Sequence, residues 1–287
     1  MSLTQAQLKE RKRGIFGSEA AVIEGCHFSM DERRLWAIKT GRHDDRLPDK
    51  MILRAGHECE QWVAKEYMKR TGCKLRRNNR TVWDKKHLYN GRAIMGGHID
   101  RKIEGERKLM DCKVTFASGK WGKDGTCEIP PYYITQLKHY CSVFGYNRAD
   151  LAVIHLRMPP ELHIHEFYFT DEELAKYRSK VFKFWDLVES DTPPPVSKAS
   201  GSREVLRAMS PLAETGRMAV ANTVILKSAS EHTRYKNAMQ RLKDDQALYK
   251  HQIMEHMEEA EVLLNPDGSE IATYKNNAKG VRTLLIK

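Results

Sequence analysis

Asp100, Asp111 and Lys113 are the residues whose types and spacing point most directly to chemistry. They lie in the stretch 97–113, GHIDRKIEGERKLMDCK, where two alternating segments flank Gly105-Glu106. That pattern predicts a hairpin with a two-residue turn and glycine at its first central position. With this turn Glu104 pairs with Arg107, cross-strand partners sum to 211, and Asp100 faces Asp111. Two carboxylates whose Cβ atoms stand ~4.5–5.5 Å apart repel, and strand interiors disfavour Asp in any case. A divalent cation between them removes the conflict: Mg²⁺ or Mn²⁺ is held by one or two carboxylates together with water and phosphate oxygens. Lys113, two residues beyond Asp111, shares its strand face. Ile99, Ile103, Met110, Cys112 and Val114 fall on the other side, which predicts one core face and one face open to a cleft or to solvent. A plain solvent-facing polar hairpin is the alternative, because His98, Lys102, Glu104 and Arg107 share the acid side.

The elements that must hold this hairpin can be read around it. Ser29-Met30-Asp31-Glu32 has the form of a capping box and opens a helix through ERRLWAIKTG; a second helix covers roughly 49–71 and stops at Gly72. Glu60 lies in that helix among Trp62, Val63 and Tyr67, where a third carboxylate could approach the acid pair. Extended segments follow near 74–84, 97–104 and 107–115. After a glycine-rich connection containing Trp121 comes a helix through YYITQLKHYCSVFG, which sets Gln136 and Tyr140 four residues apart on one face. Strands near 149–157 and 161–169 precede a helix opened by a second capping box, Thr170 to Glu173. His163 and His165 of the run HIH are read as part of an edge strand whose alternating residues face solvent and core in turn, rather than as metal ligands. The run ESDTPPPVSKASGSRE is a linker, since three prolines continue neither helix nor strand. Beyond it Tyr235, Met239, Leu242, Tyr249 and Ile253 recur at helical spacing, followed by a strand, a turn and a strand. The expected organisation is a domain over 1–195, a linker at 196–200 and an accessory module over 201–287.

Composition bounds the class. The 287 residues carry a formal net charge of +11, with 36 basic against 27 acidic residues in the first 200 and 13 against 11 thereafter. Such an excess suits a polyanionic partner, most simply nucleic acid. No apolar run approaches the ~18 residues of a membrane span. The six cysteines show no C-x-x-C spacing, which argues for reduced thiols in a cytoplasm and against zinc or iron–sulfur ligation. The first residues lack the apolar region of a secretory signal.

The order of these features carries more than any one of them. A helix acid, then G-x-I-D, then D-x-K on the next strand, then Q-x-x-x-Y on a helix resembles the PD-(D/E)XK nuclease core of the RecB type. The stretches RKRGIFGSEAAVIEG, LWAIKTGR, GHECEQWVAKEYMKRTG and DCKVTFASGKW through EIPPYYITQLKHYCSVFGYNRADLAVI resemble the YqaJ-type viral recombinases, the alkaline exonucleases of the phage lambda exonuclease kind, over roughly residues 11–195. The resemblance implies an α/β (α+β) restriction-endonuclease-like fold, a central mixed sheet flanked by helices. It also implies Mg²⁺-dependent 5′→3′ degradation of double-stranded DNA ends in phage or prophage recombination. Residue by residue, Glu60, Asp100 and Asp111 match the metal-binding acids, with the Cys112 carbonyl as a further ligand to one or two Mg²⁺ or Mn²⁺ ions. Lys113 matches the catalytic lysine and Gln136 the helix glutamine. Arg11 and Ser18 match positions that hold the 5′-terminal phosphate, Ser18 as the start of a helix. His98 stands where a family member has a serine on that phosphate, and Asp111 replaces the more frequent glutamate. Trp121 either stacks on a base or closes the core, and Tyr140 puts a polar tip near the site. A bacterial cytoplasm, a ring-shaped homotrimer and a single-strand annealing partner are implied in the same way. An endonuclease with the same core, or a non-catalytic DNA-binding protein, are the competing readings.

Overall fold

The computed structural model describes residues 5–44, 51–78, 80–116 and 119–287. The chain divides into two compact units, residues 1–212 and 213–287.

The first unit begins with α1 (Gln5–Arg11), a 3-10 turn (Gly17–Glu19), α2 (Ala20–Ile23), α3 (Glu32–Lys39) and α4 (Met51–Thr71). The strands β1 (Leu75–Arg77), β2 (Val82–Trp83), β3 (Gly96–Gly97), β4 (Arg101–Ile103) and β5 (Lys108–Thr115) follow. Then come α5 (Pro131–Phe144), β6 (Arg148–His155), β7 (Glu161–Tyr168), α6 (Asp171–Glu189) and α7 (Ser200–Met209). The five-stranded sheet has the order β1-β4-β5-β6-β7; β5 and β6 run parallel, and the other neighbours are antiparallel. A parallel pair needs a crossover, and α5 supplies it.

The residues explain these elements. β6 reads as an almost unbroken apolar run because, as a central strand, it is covered on both faces. Pro131 opens α5 where no intrahelical N–H is needed. Gly145 closes it at φ +66°, its N–H on the Cys141 carbonyl, a conformation that other residues adopt at a cost. Leu137, Tyr140 and Cys141 of α5 pack with Ile99, Leu109, Leu151 and Val153 on one sheet face. Val63, Ala64 and Tyr67 of α4 pack with Ile103, Met110, Cys112, Ala152 and Ile154 on the other. Fully burying one such aliphatic side chain contributes about 1.5–3 kcal/mol. A third cluster joins α2, α3 and α6 around Ile15, Trp36, Tyr177 and Phe184.

Several expectations are met and several corrected. The capping box at Thr170 and Glu173 forms as expected. α3, by contrast, is capped by Asp31, whose carboxylate accepts the Arg34 N–H, and not by Ser29. Both faces of the sheet are covered by helices, so the acid side of the hairpin is not an open face. Ile99 joins the α5 side while Ile103 joins the α4 side, because the chain bends at Asp100 and strict alternation lapses there. The hairpin keeps the expected register, Arg101 opposite Met110 and Lys102 opposite Leu109. Its turn is one residue earlier than expected: Glu106 N–H reaches the Ile103 carbonyl at 3.4 Å, and Gly105, at φ +78°, is the second central residue.

The boundary expected at 201 also moves. α7 belongs to the first unit because Val205 is fully buried in the α3 and α6 cluster, Ser202 donates to Asp31, and Arg34 pairs with Glu204 at 2.6 Å. The linker is pinned as well: Arg33 donates to the Pro194 carbonyl at 2.8 Å.

The second unit holds α8 (Thr223–Met257) and the antiparallel strands β8 (Val262–Leu264), β9 (Glu270–Asn276) and β10 (Arg282–Ile286). Its buried residues are Met257, Ala272 and Leu284, flanked by Ile253, Met254 and Leu263. Among the described residues no helix is long and apolar enough to cross a membrane, and all six cysteines are free thiols.

Candidate active site

β5 places Asp111 and Lys113 two residues apart, and Asp100, at the bend just before β4, comes close enough for Asp111 to feel its charge. Asp100 Oδ2 accepts the Cys112 N–H at 2.8 Å, so the strand end itself fixes the second carboxylate. Asp111 is buried and takes a hydrogen bond from Lys113 Nζ. Burial raises the Asp111 pKa, Lys113 pulls it down, and the neighbouring Asp100 and Glu60 push it up again; the net direction is upward. For Lys113, burial works against the charge, but Asp111 and Asp100 outweigh it and hold the pKa above the ordinary lysine value.

Glu60 approaches from α4. Its carboxylate bonds the His57 ring at 2.8 Å, and Asp111 feels its charge. Among the described residues no group of three His, Cys, Asp or Glu side chains stands ready to hold an ion as the side chains lie. The donor chemistry nevertheless fits a hard divalent cation. Asp111 and Asp100 are oxygen donors kept close by the hairpin, Glu60 is a third within electrostatic reach, and buried Gln136 Oε1 has no partner. Cys112 enters through its amide; its thiol is buried against Met110.

α5 contributes the roof. Gln136 Nε2 donates to the Tyr140 hydroxyl at 2.8 Å, and Tyr140 feels both Asp111 and Lys113. Gly17 lies against the Tyr140 ring so closely that a Cβ there would stand 2.4 Å from it, which makes glycine obligatory at the entry to the 3-10 turn.

That turn carries the second part of the site. Arg11 donates to Ser18 Oγ at 3.1 Å and to Glu19 Oε1 at 2.9 Å. Buried Glu19 also accepts from Lys39 Nζ, at 2.8 and 2.7 Å, and from the Phe16 N–H at 2.9 Å. Burial opposes the Glu19 charge, yet Lys39 and Arg11 together keep its pKa below the ordinary glutamate value. Ser18 therefore lies within a 3-10 turn followed by a four-residue helix, and does not start a longer one. Tyr132, at the start of α5, lies between the two parts: its hydroxyl meets the Ser18 carbonyl at 3.4 Å, and its phenol, raised chiefly by burial, feels Lys113, Arg11 and Asp111. The segment is sewn to the strand that leads to Asp100 by Ile15 N–H to the Ile94 carbonyl, 2.7 Å, and Gly96 N–H to the Ile15 carbonyl, 2.9 Å. Sequence reading missed Glu19, Lys39 and Tyr132; a buried carboxylate and a buried lysine twenty residues apart leave no local pattern.

His98 is exposed on the rim, its Nε2 2.7 Å from Thr81 Oγ1 and its ring stacked on Phe16. Trp121 closes the core: it packs against Tyr133, His155 and His165. The face that His163 and His165 present is covered and does not look out to solvent as expected. They share a sheet face with His155, where the 119–129 loop folds over them and His165 Nδ1 meets the Thr126 carbonyl at 2.6 Å.

A family model described as a YqaJ-like viral recombinase domain matches residues 7–147. The uncharacterized protein YqaJ of Bacillus subtilis (strain 168) is 31% identical over 206 residues, 70% of this chain; the chain covers 61% of that protein's length. The crystal structure of an alkaline exonuclease, LHK-Exo, from Laribacter hongkongensis superposes with a TM-score of 0.52 at 16% identity, covering 73% of this chain and 100% of that one. The structure of LHK-Exo in complex with dAMP gives 0.50 at 16% identity over 72% and 98%. At that identity the likeness establishes the fold, a central mixed sheet flanked by helices.

Proposed function

From the match of residues 7–147 to the YqaJ-like viral recombinase family, we propose that the chain is a Mg²⁺-dependent 5′→3′ exonuclease of that family on double-stranded DNA ends. It would serve phage or prophage recombination in a bacterial cytoplasm, leaving single strand for an annealing protein. The observation that carries the reading is the close pair Asp100 and Asp111 with Lys113 on the same strand as Asp111, adjoining the hydrogen-bonded Arg11 and Ser18 across Tyr132.

Asp100, Asp111 and Glu60 would hold the ion, Glu60 after leaving His57. When bound, Mg²⁺ or Mn²⁺ supplies charge neutralisation at the scissile phosphate and acidifies a coordinated water. The chain's own groups do the positioning. Cys112 N–H and the hairpin fix Asp100; Tyr140 and Gln136 roof the acids and exclude bulk water; Lys113 brings a cation to the attacked phosphate. Arg11 and Ser18 offer an N–H fork and a hydroxyl to a terminal phosphate. Glu19, already neutralised by Lys39, keeps the Arg11 fork in place. A ring-shaped homotrimer is part of the proposal, and the exposed apolar residues of α8 support an assembling role for the second unit.

The test is linear against covalently closed circular duplex in Mg²⁺, with 5′-phosphate and 5′-hydroxyl ends compared. Degradation restricted to linear DNA, faster from phosphorylated ends, is expected. Cutting of closed circles would instead make the chain an endonuclease on the same core, and absence of any hydrolysis would leave a DNA-binding protein.

A further inference from the structure

The edge of the sheet next to the candidate active site repeats, with cations, the conflict that the hairpin shows with carboxylates. β1 pairs with β4 so that Arg76 lies opposite Lys102 and Arg77 opposite Arg101. Like charges directly opposite each other destabilise a strand pair. Arg101 is relieved within the fold, donating to the Asp100 carbonyl at 2.7 Å and to Gln61 at 3.2 Å. Among the described residues, no acid pairs with Arg76, Arg77 or Lys102. Arg76, Arg77, Asn78, Arg80 and Lys102 line a cavity of about 520 Å³ whose lining, among the described residues, contains no acidic and no aromatic side chain. Lys102 Nζ rests over the Phe144 ring at 4.9 Å, which holds the head group on the α5 side of the sheet.

We propose that this groove binds the phosphodiester backbone of the DNA duplex a few nucleotides from the cleaved bond. The placement follows from the strand register. Lys102 pairs with Leu109, and Leu109 and Asp111 share a face of β5, so the groove begins about 7 Å from the acid pair. Arg76 lies one strand further out, about 5 Å beyond. The occupant follows from the lining. Guanidinium groups with an amide beside them suit phosphate oxygens, and the lack of aromatic rings excludes the base-stacking platform on which single strands are held. This assignment rests on the nuclease reading for its biological setting, but its geometry does not depend on that reading.

The experiment is equilibrium binding of a blunt duplex and of a single strand of equal length, across a range of salt concentrations and in EDTA so that nothing is cut. The unaltered chain is compared with the double variant Arg76→Gln, Arg80→Gln. Both side chains are exposed, and an unchanged thermal melt checks the fold. Each lost phosphate contact lowers the slope of log K against log salt by about 0.9, so the duplex slope should fall by about two and duplex affinity at moderate salt by roughly tenfold or more. The ratio of affinities for 5′-phosphorylated and 5′-hydroxyl ends should not change, because Arg11 and Ser18 are untouched. An unchanged duplex slope would make the cluster a guard against edge-to-edge strand pairing and overturn the proposal. So would a loss on single strands equal to or larger than that on duplex. Failure of the nuclease reading is seen separately, as failure of the unaltered chain to cut linear duplex in Mg²⁺.

Discussion

The two units of the chain handle the wrong kind of residue in opposite ways. The first buries charge: Glu19 with Lys39 and Lys108 with Asp150 lie inside, and buried Asp111 pairs with a partly exposed Lys113. The second exposes oil: Val224, Ile225, Leu226, Tyr235, Met239, Leu242 and Tyr249 of α8 lie on the surface, while Met257, Ala272 and Leu284 form a small core. Buried ion pairs cost desolvation and add little net stability, and a long exposed apolar stripe costs solubility. A fold tolerates either where it serves something other than stability. The first unit is organised around a site, and the second leaves an apolar surface open, the surface to which the proposed homotrimer would give a partner.

The largest effect that would sharpen this contrast is catalytic. Asp111→Ala or Asp100→Ala should reduce hydrolysis of linear duplex by about 10³-fold or more while DNA binding remains measurable, because a lost carboxylate unseats an ion but leaves the basic surface. Near-normal rates in either variant, measured at saturating Mg²⁺, would break the assignment of the site.

Next comes the buried pair behind Arg11. Lys39→Met should leave Glu19 buried without its principal partner and destabilise the first unit by about 3–5 kcal/mol, read by urea denaturation. The double variant Glu19→Gln, Lys39→Met should recover part of that loss. A single variant as stable as the parent would mean that the pair is solvated and the contrast between the units is overstated.

Acid should separate the units as well. His139 is fully buried on α5, its Nε2 2.8 Å from the Gly96 carbonyl and its Nδ1 2.8 Å from the Tyr177 hydroxyl; burial lowers its pKa from the ordinary 6.5 to about 4. The unfolded chain therefore takes up a proton that the folded chain refuses. Stability is full above about pH 6.5 and declines as pH falls toward 4, by about 3 kcal/mol from this residue. Denaturation of the first unit followed at pH 7 and pH 4.5 should show the decline, and His139→Gln should flatten it.

The smallest expected energy belongs to α8. Met239→Lys with Leu242→Lys should change the stability of the isolated chain by under about 0.5 kcal/mol, since both side chains are exposed, yet should dissociate the proposed homotrimer in sedimentation. A parent chain that sediments as a monomer would refute the ring outright.

What could be read from the sequence follows the range of the interactions concerned. The hairpin register was legible because period-two alternation and Gly105 are local, and so was the Thr170 box. The approach of Asp100 to Asp111 was legible because two like charges brought together are a conflict that sequence spacing alone exposes. Ser29 misled because Asp31, two residues on, caps the same helix and also accepts from Ser202 across the fold. Glu19 with Lys39, the covering of His155 and His165 by the 119–129 loop, and the docking of α7 through Val205 are long-range events. Each side chain there looks ordinary until the partner arrives.

The two backbone hydrogen bonds between Ile15 and the 94–96 segment make a ruler of this molecule. They tie the chain between α1, which ends at Arg11, and the 3-10 turn that holds Ser18 to the segment leading to Asp100, so in the proposed reaction the span from the anchored DNA end to the point of attack would be set by peptide geometry and not by side-chain reach. A ruler of fixed length makes fragments of uniform size. Products resolved early in digestion of an end-labelled duplex should be one species, and loosening the tie with Ile15→Gly should broaden them into several.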